Sequence, residues 1–217
     1  MSAAAPAPPR PRRLASDGRL LVATHNWGKQ REFEALLRPY GIVMVPPGEL
    51  GLPSPEETGT TFEENARLKA VAAARASGLP ALADDSGLVA YGLDGAPGVY
   101  SADWVGPGRD FAPAIRRVLD ELAARYGSLE AADRRAAFVS TLCLAWPDGA
   151  ATFHTGRVEG ELAPEPRGSR GFGYDPIFVP EGSQLTYGEM DPAEKDRTSH
   201  RARSFAAFAA AELDAPA

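Results

Sequence analysis

Two largely apolar runs, Arg135 to Trp146 and Ala151 to Glu161, stand on either side of Pro147-Asp148-Gly149. Proline and glycine around an aspartate form a turn signal, so the two runs read as one long antiparallel hairpin. That hairpin commits the chain to a sheet. Its surroundings alternate between strand and helix patterns. Leu20 to Ala23 reads as a buried strand, and Trp27 to Arg38 as a helix with Phe33, Leu36 and Leu37 on one face, stopped by Pro39 and Gly41. Ile42 to Val45 reads as a second strand, and residues 46–59 as a loop. Thr61-Phe62-Glu63-Glu64 has the spacing of a capping box, which predicts an Ala-rich helix to about Ser77, ended by Gly78 and Pro80. Ala81 to Ala83 reads as a short strand leading into Asp84-Asp85-Ser86-Gly87. A long glycine-containing loop over 87–108, a helix from Phe111 to Tyr126, a Gly-rich loop over 163–175 and a brief strand Ile177 to Val179 follow. Ser199 to Leu213 reads as a closing amphipathic helix with Phe205 and Phe208 inward. Strands alternating with helices place the chain in the α/β class with a central mixed sheet. No internal repeat is visible.

Composition bounds the partners. The 217 residues suit one domain, or one domain with a small lobe, and an apolar content of 44% supplies a sizeable core. With 23 basic and 29 acidic residues the formal net charge is −6, which argues against a general nucleic-acid or anionic-membrane binder. No apolar run approaches the roughly 20 residues of a membrane helix. Cys143 is the only cysteine, so no intramolecular disulfide forms, which suits a reducing cytoplasm. Its apolar neighbours mark it as a core residue rather than a nucleophile. The first 18 residues, rich in Pro, Ala and Arg, read as a disordered tail ahead of a single domain over 19–217. They lack the apolar stretch of a signal peptide, and their prolines oppose the amphipathic helix of a transit peptide.

Five local features carry chemistry. Thr24-His25-Asn26-Trp27-Gly28-Lys29 is a turn into a helix start, where free backbone N–H groups attract anions and Lys29 adds a full charge. The spacing is not that of a Walker A loop, and an ordinary cap with a solvated lysine fits it equally. Asp84 and Asp85 are adjacent, so in an extended segment their side chains point to opposite sides. One can face a metal while the other braces the chain. Glu56 and Glu57 lie in the loop before the capped helix, and a carboxylate from each place would suit Mg2+, which takes one or two carboxylates plus phosphates and waters. A turn and a solvated acidic loop are the plainer alternative. Lys69 sits one to two turns into the capped helix, where a solvated lysine is the usual case. In Gly168-Ser169-Arg170-Gly171-Phe172-Gly173-Tyr174-Asp175-Pro176 the glycines allow close backbone approach, Phe172 or Tyr174 could stack on a base and Asp175 could read a base edge. Lys195-Asp196-Arg197-Thr198-Ser199-His200-Arg201 puts cations at a helix start, where the dipole disfavours them, and a local rule broken without visible gain points to function. Together the five supply anion donors, metal carboxylates and a base pocket, the requirements of a metal-assisted nucleotide hydrolase.

From Leu20 to Leu213 the chain resembles the inosine triphosphate pyrophosphatase family, which clears non-standard purine triphosphates. The resemblance rests on ATHNWGKQREF, EETGTTFEENARLKA, LADDSGL, GAPGVYSADW, RRAAFVSTLCLA, GRVEGEL, RGFGYDPIF and SHRARSF, in that order. It implies an elongated, twisted mixed sheet with flanking helices, two lobes around a cleft, a homodimer and Mg2+ as cofactor. It implies hydrolysis of dITP, ITP and XTP to the monophosphate and pyrophosphate. Carried over by position, Thr24, His25, Asn26, Trp27, Gly28 and Lys29 would hold the triphosphate together with Lys69. Asp85 would be the catalytic carboxylate and a metal ligand, and Ser86 would touch substrate. Glu56 or Glu57 would complete the metal site, with Glu56 preferred. Phe172, Gly173, Tyr174 and Asp175 would hold base and sugar, and Lys195, His200 and Arg201 would read the base. His25 stands where small residues also occur in relatives. A pocket that donates to a 6-keto oxygen leaves a donor facing the 6-amino group of adenine, at a cost of roughly 1–3 kcal/mol per unpaired group. Guanine shares the 6-keto group, so its exclusion depends on the 2-position.

Overall fold

A computed structural model of the chain describes residues 12–15, 18–106 and 110–215. Six strands form one sheet: β1 (Arg19–Val22), β2 (Val43–Val45), β3 (Ala81–Ala90), β4 (Arg135–Ala145), β5 (Ala151–Leu162) and β6 (Phe178–Pro180). Their order across the sheet is β2-β1-β3-β4-β5-β6. β1 pairs parallel with β2 and β3, and every other pairing is antiparallel, so the sheet is mixed as expected. The predicted hairpin is β4–β5, in register from Arg135 opposite Glu161 to Ala145 opposite Ala151.

Among the described residues five helices flank the sheet: α1 (Trp27–Leu37), α2 (Phe62–Ser77), α3 (Ala112–Tyr126), α4 (Pro192–Thr198) and α5 (His200–Glu212). The capping box forms as its spacing predicts, with Thr61 accepting from the Glu64 backbone and Glu64 reaching back to the cap. α4 was not expected. Asp191 caps it by accepting from the Ala193 N–H at 3.0 Å, and Pro192 occupies its first turn, where the missing N–H costs nothing. Lys195 therefore belongs to a helix of its own, and Ser199 breaks the chain and caps α5.

β3 also departs from expectation. It does not end at Ala83 but runs ten residues, with Asp84, Asp85 and Ser86 paired to Leu142, Thr141 and Ser140 of β4. The carboxylates interrupt the apolar pattern and so resemble a turn. In the folded chain they carry ion pairs, which lets the strand continue through them. Gly87 to Ala90 are strand as well, so the long loop starts only at Tyr91 and is broken by short 3₁₀ turns.

Apolar packing occupies the two ends of the long strands. At one end Leu20, Leu82 and Leu142 meet Phe33, Phe205 and Phe208 on one face, while Ala83 and Cys143 meet Ala66 and Ala70 on the other. At the far end Leu88 and Phe138 pack with Ile115, Val118 and Phe178. The middle of β3 lies between, and that is where the charges sit. The segment expected as a tail is not free throughout. Leu14 is buried beside Leu213 and donates its N–H to the Glu212 carbonyl at 2.8 Å, while Arg12 reaches Asp148. Residues 1–11 and 16–17 lie outside the described residues. Among the described residues no helix is long and apolar enough to cross a membrane. Burial pushes the Cys143 thiol up to about 12, as befits a core residue.

Candidate active site

Side chains alternate along β3, so Asp85 points towards α2 with Ala83, and Asp84 points towards α1 and α5 with Leu82 and Ser86. The α2 side holds a triad. Lys69 donates to Asp85 Oδ1 at 2.7 Å and to Glu57 Oε2 at 3.0 Å. Burial works against the Lys69 ammonium, but the two carboxylates outweigh it and raise its pKa. Burial likewise pushes the Asp85 carboxyl up, to about 7, against the pull of Lys69. Asp85 Oδ2 is buried and has no partner among the described residues.

The other side holds a larger network. Lys29 lies 2.6 Å from Asp84 Oδ2, and Ser140 donates to Asp84 Oδ1 at 2.7 Å. Arg201 approaches Asp84 to 3.6 Å and binds Glu32 at 2.5 Å. Burial alone would raise the Asp84 carboxyl, but Lys29, Arg201 and the hydroxyl hold it far below the usual carboxylate range. Beside the network opens a pocket of about 120 Å³. Lys29, Ser86, Phe172, Lys195, His200 and Arg201 line it. His200 stacks on Phe138 with centroids 4.8 Å apart, and burial with Arg201 alongside keeps it neutral. α5 comes this close because Gly156 of β5 has no side chain. A Cβ there would meet the His200 carbonyl at 2.1 Å.

The 171–175 loop forms the remaining wall. Gly171 has φ 73°, and a Cβ on it would strike Asp175 Oδ2 at 2.1 Å. That oxygen accepts from the Phe172 N–H at 2.7 Å and from Lys195. Burial pushes the Asp175 carboxyl up while Lys195 opposes it. Asp175 thus braces the loop and pairs with Lys195 in addition to lining the pocket. Tyr174 is a core residue: its ring meets Phe111 edge-on, and its hydroxyl donates to the Ser101 carbonyl at 2.9 Å. Of the two aromatics, Phe172 has the accessible face, with Lys195 5.0 Å and Arg201 5.5 Å from its centroid.

The turn before α1 differs from its sequence reading in one respect. Asn26 caps the helix, and its Oδ1 accepts from the Gly28 and Lys29 N–H groups at 2.9 and 3.2 Å, so these donors are not free. Thr24 Oγ1 in turn accepts from the Asn26 N–H. His25 and Trp27 are exposed. His25 faces the groove between α2 and the 47–55 loop, and Trp27 lies against Arg31.

Among the described residues no three His, Cys, Asp or Glu side chains gather closely enough to hold a metal by themselves. Mg2+ does not need three, since it shares its shell with phosphates and water. Glu57 and Asp85, drawn together by Lys69, with Asp85 Oδ2 unpartnered, fit such a site. Glu56 and Glu57 are both exposed, and of the two it is Glu57 that reaches Lys69. Two participants escaped the sequence reading. Glu32 stands one turn beyond Lys29 on α1, and Ser140 lies with Thr141 in the middle of the largely apolar β4. Both positions are visible in the sequence, the first as an i, i+3 neighbour of the lysine.

A family model described as the Ham1 family matches residues 20–211. A protein named dITP/XTP pyrophosphatase from Caulobacter vibrioides is 56% identical over 196 residues, covering 90% of this chain and 98% of its own. One of the same name from a Bradyrhizobium species is 52% identical, covering 91% and 95%. A solved HAM1 protein from Coxiella burnetii superposes with a TM-score of 0.81 at 42% identity, covering 88% of this chain and 96% of its own. A structure of a nucleoside-triphosphatase, also named dITP/XTP pyrophosphatase, from Mycobacterium abscessus gives 0.69 at 40% identity, covering 88% and 98%.

Proposed function

The chain belongs to the Ham1 family, and from that premise and the geometry of its site we propose that it hydrolyses dITP, ITP and XTP to the nucleoside monophosphate and pyrophosphate. Such an enzyme is a hydrolase of phosphoanhydride bonds in nucleotide metabolism, and it keeps deaminated purines out of DNA and RNA. The observation that carries the reading is the division of charge across β3. Asp85, with a buried oxygen unpartnered among the described residues, stands on one face, and the pocket lined by Lys29, Lys195 and Arg201 opens on the other.

In this reading Asp85 and Glu57 would hold Mg2+, which would supply charge neutralisation to the substrate phosphates. Thr24 to Lys29 and Lys69 hold the triphosphate, the lysines exchanging their carboxylate partners for phosphate oxygens and stabilising the negative leaving group. Asp85 orients a water and accepts its proton. The water oxygen bonds to the α-phosphorus as the bond to the bridging oxygen breaks, and that oxygen leaves with pyrophosphate. Ser86 contacts the substrate. Phe172 stacks on the base, Gly173, Tyr174 and Asp175 shape the sugar and base walls, and Lys195, neutral His200 and Arg201 offer donors to the 6-keto oxygen. A reaction on the free nucleotide pool places the protein in the cytoplasm. The assembly is a homodimer, for which the exposed Trp27 and Val43 beside one groove offer apolar surface; light scattering in solution tests it.

Pyrophosphate release from dITP with Mg2+, set against an EDTA control, tests the activity. Release that requires the metal is expected. Phosphate passed to an added acceptor instead of water would identify a transferase, and binding without turnover a non-catalytic module.

A further inference from the structure

Glu32 has no part in the chemistry just described, yet it is bound to a group that does. Lys29 and Glu32 stand one turn apart on α1 and face the same way. Arg201, 3% exposed, is pinned at both ends of its guanidinium. Nη1 donates to Glu32 Oε2 at 2.5 Å, and Nη2 donates to Ser86 Oγ at 3.2 Å. Asp84 Oδ2 lies 3.6 Å from Nη2, but the same oxygen is 2.6 Å from Lys29. Charges therefore alternate as Glu32, Arg201, Asp84, Lys29. Asp84 also serves Lys29, so among the described residues Glu32 is the carboxylate that Arg201 has to itself.

We propose that Glu32 is a positioning residue for base recognition: it holds the Arg201 guanidinium against Ser86 and over Phe172, and so fixes the donor geometry of the pocket. The inference rests on Arg201 reading the base. Without the Glu32 charge, Asp84 is left to neutralise both cations, and Arg201 is drawn towards it and away from the Phe172 ring. Charge-assisted hydrogen bonds are roughly twice as strong as neutral ones, so an amide in place of the carboxylate keeps the shape and loses the hold.

The test compares wild type, Glu32→Gln and Glu32→Asp by steady-state hydrolysis of dITP and dATP and by calorimetric binding of dIMP, with thermal melts as a check on folding. For Glu32→Gln, KM for dITP rises about tenfold with kcat within about twofold, dIMP binding weakens to match, and preference over dATP narrows. Glu32→Asp recovers part of the binding. A KM and a dIMP affinity unchanged in Glu32→Gln, or a fall in kcat alone with lowered melting, would overturn the proposal, since a merely structural role removes active protein without altering KM. Wild type that binds dIMP but releases no pyrophosphate from dITP would defeat the catalytic reading instead, and the dIMP affinities would still decide the role of Glu32.

Discussion

Lys69 Nζ lies 2.7 Å from Asp85 Oδ1 and 3.0 Å from Glu57 Oε2, so one ammonium ties the central strand to the loop that precedes its own helix. In Lys69→Met the two carboxylates face each other without a cation. Removing one partner of a buried pair typically costs about 3–5 kcal/mol. Asp85 can escape part of that cost by taking up a proton. Chemical denaturation should therefore show a smaller loss near pH 6 than near pH 8, and a loss independent of pH would contradict this account of the triad.

Asp85→Asn keeps the shape and the Lys69 contact but cannot take a proton from water. Turnover of dITP should fall by at least about a hundredfold while the far-UV spectrum stays that of the wild type. Near-normal turnover would remove Asp85 from its role.

The same variant isolates a pH dependence. Burial pushes the folded-state carboxyl of Asp85 up to about 7. In the unfolded chain it titrates near its ordinary value, about 4. Between those values the folded protein holds a proton that the unfolded chain has released, so this group's contribution to stability falls as pH rises from about 4 to about 7 and is level above. Wild-type stability minus that of Asp85→Asn should show the downward slope. Asp84 carries the opposite sign. Its folded pKa is depressed by Lys29 and Arg201, so its contribution is complete above about pH 4 and is lost as pH falls further. The difference curve for Asp84→Asn should fall on acidification.

Much of this architecture is legible in the sequence, because its signals are local. The Pro147-Asp148-Gly149 turn, the Thr61 capping box and the Phe205–Phe208 face each declare themselves within a few residues. The alternation that separates Asp84 from Asp85 follows from strand geometry alone. The length of β3 was not legible, since the ion pairs that let charged residues continue a buried strand come from Lys29, Lys69 and Arg201, which only the fold brings near. That Glu57 and not Glu56 pairs with Lys69 has the same origin: neighbours in a loop differ only in what they reach. The turn before α1 fits a helix cap and an anion site equally in sequence, and the fold shows that the Asn26 cap takes up the Gly28 and Lys29 N–H groups.

Gly171→Ala tests the pocket wall. The residue sits at φ 73°, and the added Cβ would meet Asp175 Oδ2 at 2.1 Å. Adopting that backbone costs an alanine about 1 kcal/mol or more, and the carboxylate must also move off the Phe172 N–H. A raised KM for dITP, with lowered melting temperature, is expected from kinetics and calorimetry. Unchanged values for both would show that the loop is not braced in this way.

Selective hydrolysis of 6-keto purine triphosphates other than dGTP can be read from pyrophosphate release with dITP, XTP, dGTP, dATP and dUTP under one set of conditions with Mg2+. Rapid release from dITP and XTP and slow release from the other three are expected. Comparable rates for all five would rule out a pocket selective for these bases.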